Sequence, residues 1–259
     1  MLSEEDWIAD EYNDIDVSFV KTQLNCFDES ALEMMLKLSD FSESFNVMVE
    51  LDALTIGNQI CENYLKTLYA LGYKRAVRIE CEEELRFWPE LTAGLIAEYV
   101  SQIGSQDVVI MGNKSADGSN GKVPLLMAEH MRWPCITQVI GMELVDETCL
   151  KVEHVVDGGS QIQMIRTPCV LAIGNAPESY LRVPTLKDRM KLGKQPIEVY
   201  TPKDLQVSTD FLDLKPMTHL VEISSVDHSR EGIIIRGETA KEKAEELYQS
   251  YLKERLDKI

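Results

Sequence analysis

The stretch Gly112-Asn-Lys-Ser-Ala-Asp-Gly-Ser-Asn-Gly-Lys-Val-Pro124 gathers the residue types that hold phosphate. Gly112, Gly118 and Gly121 let backbone N–H groups come close to an anion. Lys114 and Lys122 add positive charge, and Asp117 can accept a hydrogen bond from a ribose or an amide. An apolar run, Asp107-Val-Val-Ile-Met-Gly112, comes before it, and a helical pattern over 123–131 follows, so a helix dipole points into the loop. The spacing is neither G-x-x-x-x-G-K-[ST] nor G-x-G-x-x-G. Two readings stand on spacing alone: a phosphate-binding loop, or a plain connection between a strand and a helix.

Other chemistry is thin. Ser115 and Ser119 read as turn hydroxyls, since no G-x-S-x-G surrounds either. The pairs Glu4-Glu5 and Glu245-Glu246 and the triplet Glu82-Glu83-Glu84 are sequence neighbours, which suits solvated faces better than acid–base dyads. The six cysteines form no C-x-x-C and the four histidines are scattered, so no metal site is expected, and the thiols suit a reducing cytoplasm. A second feature is electrostatic. Between Arg182 and Lys203 stand six basic side chains against two acidic ones, in a chain of net charge −18. The segment is either a solvated loop or a docking patch for an acidic partner, with Leu186 as its apolar anchor. The strongly negative balance argues against nucleic acid as the main ligand. No run of about 18 apolar residues predicts a membrane span, and the opening Met1-Leu-Ser-Glu-Glu-Asp does not read as a signal peptide.

The elements that must position these residues follow from periodicity. Apolar stripes predict a helix from about Asp28, with Ser30 and Glu33 at capping-box spacing or Asp28 as the cap. Residues 46–56 read as a strand. Further helices carry Ile60 to Leu71 and Leu91 to Ile103, and Ala76–Ile79 is a short strand between them. The run 107–112 looks like a strand covered on both faces. This alternation predicts an α/β fold with a doubly wound, mostly parallel sheet. After Trp133-Pro134 come short strands at 135–139, 142–145, 149–156, 161–165 and 170–173, with hairpin signals at Asp146-Glu-Thr and Asp157-Gly-Gly. Antiparallel strands are therefore added to the sheet. Residues 175–203, with four prolines, read as irregular, and Thr239-x-x-Glu242 caps a C-terminal helix.

Several segments in one order resemble the β (small) subunit of the electron transfer flavoprotein. They are Leu24-Asn-Cys-Phe-Asp-Glu-Ser-Ala-Leu-Glu33, Tyr69-Ala-Leu-Gly-Tyr-Lys-Arg-Ala76, Asp107 through Trp133-Pro134, Val152-Glu-His-Val-Val-Asp-Gly-Gly-Ser-Gln161 with Pro168-Cys-Val-Leu-Ala172, and Asn175-Ala-Pro through Leu186, Met190-Lys191 and Pro196-Ile-Glu-Val199. The resemblance covers roughly residues 23–258. Departures are Cys26 where the family has Pro, His154 and Gln163 inside the signature, and Ala176 and Glu178 where it has Glu and Arg. By the same resemblance, the family's opening apolar strand is expected to be missing ahead of this segment.

The resemblance implies a HUP-type, adenine-nucleotide-binding α/β domain. It implies an electron carrier subunit with no self-contained catalytic site, paired with an α subunit and serving an acyl-CoA dehydrogenase-like partner. The nucleotide in this subunit would be FAD or, alternatively, AMP. Carried over by position, the pocket involves Asn25, Cys26, Phe27, Asp28 and Ile56. To these it adds Gly112, Asn113, Lys114, Ser115, Ala116, Asp117, Gly118, Ser119, Asn120, Gly121, Lys122 and Val123. Leu186, Arg189, Met190 and Lys191 would dock the partner. The implied organisation is an acidic arm over 1–22, a nucleotide-binding domain over 23–203 with a docking loop at 179–197, and a C-terminal arm and helix over 204–259. A nucleotide-binding scaffold or sensor of the same fold, without electron transfer, is the alternative.

Overall fold

The protein is described by a computed structural model over residues 22–116, 118–177, 180–205, 207, 216–221 and 232–256. Residues 1–21 of the predicted acidic arm, and Asp117, lie outside the described residues. One compact unit spans Lys21–His219, and the C-terminal helix belongs to a second.

The first helix, α1 (Cys26–Ser42), buries Ala31, Met34 and Leu38 in one core cluster and Leu36 in another. It starts earlier than the capping-box spacing predicts. Glu29 N–H donates to Asn25 O at 2.9 Å, so Ser30 lies inside the helix and its hydroxyl bonds back to Cys26 O at 3.1 Å. Glu33 is buried against Arg182 instead of capping the helix.

Then come β1 (Asp52–Ile56), α2 (Glu62–Ala70), β2 (Arg75–Ile79), α3 (Pro89–Ile103), β3 (Val108–Gly112) and α4 (Val123–Met131). The strand predicted over 46–56 is confined to its last five residues, because β2 offers only five ladder partners, Asp52↔Arg75 through Ile56↔Ile79. Pro124 near the start of α4 suits a helical first turn, where no N–H partner is lost.

The antiparallel part is β4 (Cys135–Asp146), β5 (Cys149–Val156) and β6 (Gly159–Arg166), followed by the parallel strand β7 (Cys169–Ile173). The two strands predicted at 135–139 and 142–145 are one. A register shift between Val139 and Gly141 keeps it paired through the apparent break. The region predicted as irregular holds α5 (Leu186–Leu192) and β8 (Glu198–Tyr200). Thr185 caps α5 by accepting the Asp188 N–H at 3.1 Å, and β8 adds a parallel strand to β2. Four prolines hid both elements, since each is seven residues or shorter.

The α/β class and the parallel rhythm hold, with the ladders divided over two sheets. One has the order β1-β2-β8 and is wholly parallel; the other has the order β3-β7-β4-β5-β6 and is mixed. The sheets share a core: Leu54 and Ile56 of the first and Val109 and Met111 of the second pack on the cluster built around Leu91, Leu95 and Met127. Gln106 Nε2 also donates to Asp52 Oδ2 at 3.0 Å. β3 is half-buried at all five positions, less covered than its apolar run predicts.

In the second unit Thr239 accepts the Glu242 N–H at 3.2 Å and opens α6 (Ala240–Leu247), as predicted. A π turn (Tyr248–Leu252) and a closing α turn (Lys253–Leu256) continue it.

Candidate functional site

The loop between β3 and α4 lies beyond the carboxyl end of a parallel strand, where open α/β sheets bind ligands. Its entrance is held by the first turn of α1. Asp28 Oδ1 accepts the Gly112 N–H at 2.7 Å, and Asn25 Nδ2 donates both to Asp28 Oδ2 at 2.7 Å and to Lys114 O at 2.9 Å. Gly112 is required for this approach. A Cβ there would stand 2.8 Å from Phe27 Cβ and 3.0 Å from the Asp28 nitrogen. The structure brings Asn25, Phe27 and Asp28 against Gly112 and Lys114. Cys26 is on the same turn and exposed.

The rest of the loop is shaped by its own polar side chains. Ser119 N–H donates to Ser115 Oγ at 3.3 Å, and Lys122 N–H donates to Asn120 Oδ1 at 3.0 Å. Gly121 has φ of +64°, which an L side chain rarely adopts. Ser119 takes φ of +47° in the same turn. Lys114, Ser115, Ala116, Ser119, Asn120 and Lys122 are exposed, while Asn113 and Val123 are half-buried. Ile56 packs on the same core cluster as Met111 and Val123, which flank the loop.

Two features escaped the sequence reading. A Cβ on Gly118 would fall 2.1 Å from Arg86 O, so the 86–90 segment presses on the loop from its other flank. There Phe87, Pro89, Asn120, Lys122 and Thr218 line a cleft of about 300 Å³, with Thr218 Oγ1 donating to Phe87 O at 3.1 Å. That is the lower end of the range of small-molecule sites. The second feature is Arg78 of β2, only 5% exposed. Its guanidinium donates to Gly57 O at 3.1 Å, to Glu80 at 3.2 Å and to Glu62 at 3.3 Å. No local pattern marks either feature, because both depend on residues from separate elements.

The predicted docking residues share α5. Leu186 is 74% exposed and Met190 63%, one helical turn apart, with Arg189 and Lys191 exposed beside them. The segment ahead of α5 is fixed to α1 by Arg182. Its Nη2 stands 2.8 Å from Glu33 Oε1 and its Nη1 2.7 Å from Asp40 Oδ2. Hydrogen bonding to Glu33, then to Asp40, raises the guanidinium pKa. Burial, then the Glu33 charge, raises that of Tyr73.

Among the described residues no cluster of His, Cys, Asp and Glu could hold a metal ion, and no helix is long and apolar enough to cross a membrane.

The Electron transfer flavoprotein domain family matches residues 16–205. The YgcR protein of Escherichia coli K12, whose name places it among electron transfer flavoprotein subunits, is 31% identical over 258 residues, 99% of this chain and 94% of its own length. The electron transfer flavoprotein subunit beta of Bacillus subtilis is 28% identical over 86% of this chain and 83% of its own. The human subunit beta is 28% identical over 73% and 72%. The chain belongs to the electron transfer flavoprotein family, on the side of its β subunits.

Proposed function

We propose that this chain is the β subunit of a cytoplasmic two-subunit electron carrier, holding an adenine nucleotide against its β3–α4 loop. The supporting observation is the latch between the first turn of α1 and that loop, which joins Asn25 and Asp28 to Gly112 and Lys114. The residues present fit a nucleotide. Lys114 and Lys122 offer cations to phosphate, the nine-residue α4 begins at the loop's end, and Gly121 keeps backbone close to a ligand without a side chain in the way. The HUP-like character of the domain is part of the same reading.

FAD is the preferred nucleotide and AMP the alternative. The run Asp117-Gly-Ser-Asn-Gly-Lys-Val123 is closer to the Asp-Gly-Asp-Thr-x-Gln-Val of flavin-bifurcating relatives than to the loop of AMP-binding ones. A bound flavin supplies the redox chemistry; the chain contributes binding, orientation and electrostatics. An α subunit completes the carrier, and an acyl-CoA dehydrogenase-like protein delivers electrons. Exposed Leu186 and Met190 give this partner an apolar anchor and the surrounding cations steer its approach.

The test is co-expression with an α-type subunit, followed by denaturation and mass spectrometry of what is released. FAD in excess of one per heterodimer supports the flavin reading, and one FAD with one AMP supports the alternative. An assembly that releases neither would overturn both. An AMP-bound assembly without flavin would favour a nucleotide-binding scaffold that does not transfer electrons.

A further inference from the structure

We propose that Glu33 is a positioning residue for the docking segment, and that α1 transmits the seating of the Gly112–Val123 loop to it. The proposal rests on the reading of α5 as the docking element.

Glu33 lies near the middle of α1 with its side chain only 8% exposed. A carboxylate so covered needs partners, and one residue supplies them. The Arg182 backbone N–H donates to Oε2 at 3.0 Å and its Nε to Oε1 at 2.9 Å. The other side of the guanidinium reaches Asp40, two turns further along the same helix face. This planar fork fixes direction as well as position, which an ammonium group cannot do.

Arg182 stands four residues before Leu186. Between them Pro184 is buried and Thr185 caps α5 through the Asp188 N–H. The clamp thus sets where α5 begins and which way Leu186 and Met190 point. The far end of the segment is tied separately, by Tyr69 Oη donating to Pro196 O at 2.9 Å.

The same helix carries the loop latch. Asp28 and Glu33 are five positions apart, about 7.5 Å along the axis. The 17 residues of α1 include neither Gly nor Pro, so nothing between the two carboxylates invites a kink. A change in how the first turn sits on Gly112 and Lys114 therefore reaches Glu33 as a rigid displacement. The docking segment is then either seated on α1 or released from it.

Hydrogen exchange read by mass spectrometry on the co-expressed heterodimer tests this. Glu33→Gln is expected to speed exchange in peptides covering 180–192 at least tenfold, with α1 peptides 29–38 and loop peptides 112–123 within twofold of wild type. Arg182→Lys, which keeps the charge and loses the fork, should move 180–192 in the same direction by a smaller factor. Asp28→Asn should speed exchange in 112–116 and in 180–192 together. The proposal fails if Glu33→Gln leaves 180–192 within twofold, or if α1 loosens equally, which would mean plain local unfolding. It also fails if Asp28→Asn affects the loop without the segment, or affects neither. Should Asp28→Asn not fold, Asp28→Glu applies the same comparison. Release of the segment with unchanged electron transfer to a dehydrogenase would remove the docking reading and leave the positioning role intact.

Discussion

Asp28 and Gly112, 84 positions apart, are joined by a 2.7 Å hydrogen bond from the glycine N–H to the carboxylate. The bond closes a helix N-terminus onto the end of a parallel strand, and it leaves no room for a side chain at 112.

Gly112→Ala should therefore destabilise the fold and loosen the loop. The added methyl meets Phe27 Cβ at 2.8 Å, and overpacking of this kind costs about 1–3 kcal/mol. Urea denaturation should show a lower midpoint with an unchanged slope. Gly118→Ala meets the Arg86 carbonyl at 2.1 Å, so the loop must shift away from its flank. Its larger effect should be on nucleotide content, measured after denaturation of the co-expressed assembly. Unchanged content in Gly118→Ala would separate that flank from the binding site.

Tyr69 joins three elements. Its hydroxyl accepts the Ala76 N–H at 3.1 Å and donates to Pro196 O at 2.9 Å, with the residue itself buried. Tyr69→Phe strands a buried N–H at the start of β2 and should cost about 1–3 kcal/mol. Thermal unfolding checks the loss. Proteolysis near 194–197 should also become faster.

Leu186→Ala should slow electron delivery from a dehydrogenase without changing nucleotide content. Truncating an anchor at the centre of an interface costs about 2 kcal/mol or more, roughly thirtyfold. Reductive titration rates at two salt concentrations check it. Neutralising Arg189 and Lys191 should instead flatten the salt dependence. An unchanged rate in Leu186→Ala would remove this residue from the interface.

Burial, then the neighbouring Cys135, pushes the Cys169 thiol up to about 12 from 9.0. The thiolate is the reactive form, so native alkylation near pH 8 should spare Cys169 and mark the exposed Cys26 first. The unfolded thiol ionises first as pH rises past 9.0, and the folded one only near 12. Its contribution is complete below about pH 9 and is lost progressively as pH climbs from there to 12. Peptide mapping after timed alkylation tests the order of labelling.

Periodicity made the long elements legible. Helix α4 and strand β5 lie where their apolar patterns place them, and Thr239 caps as its spacing with Glu242 implies. Short elements were not. α5 has seven residues and β8 three, too few to establish a period among prolines. The Ser30–Glu33 spacing pointed to a cap that the structure does not use, because Asn25 O already accepts the first helical N–H and tertiary partners claim Glu33.

The residue order by itself determined the α/β class, the glycine-punctuated loop after an apolar strand, and the basic segment around Leu186. These are local properties: composition, spacing and charge along a few turns of chain. Tertiary structure alone decided that Asn25 and Asp28 rest on Gly112 and Lys114, that Arg86 presses on Gly118, and that Arg182 grips Glu33 across 149 positions. Such pairs have no period to betray them. They exist because burying the apolar faces of α1 against two cores carries its polar side chains to wherever the distant backbone happens to pass.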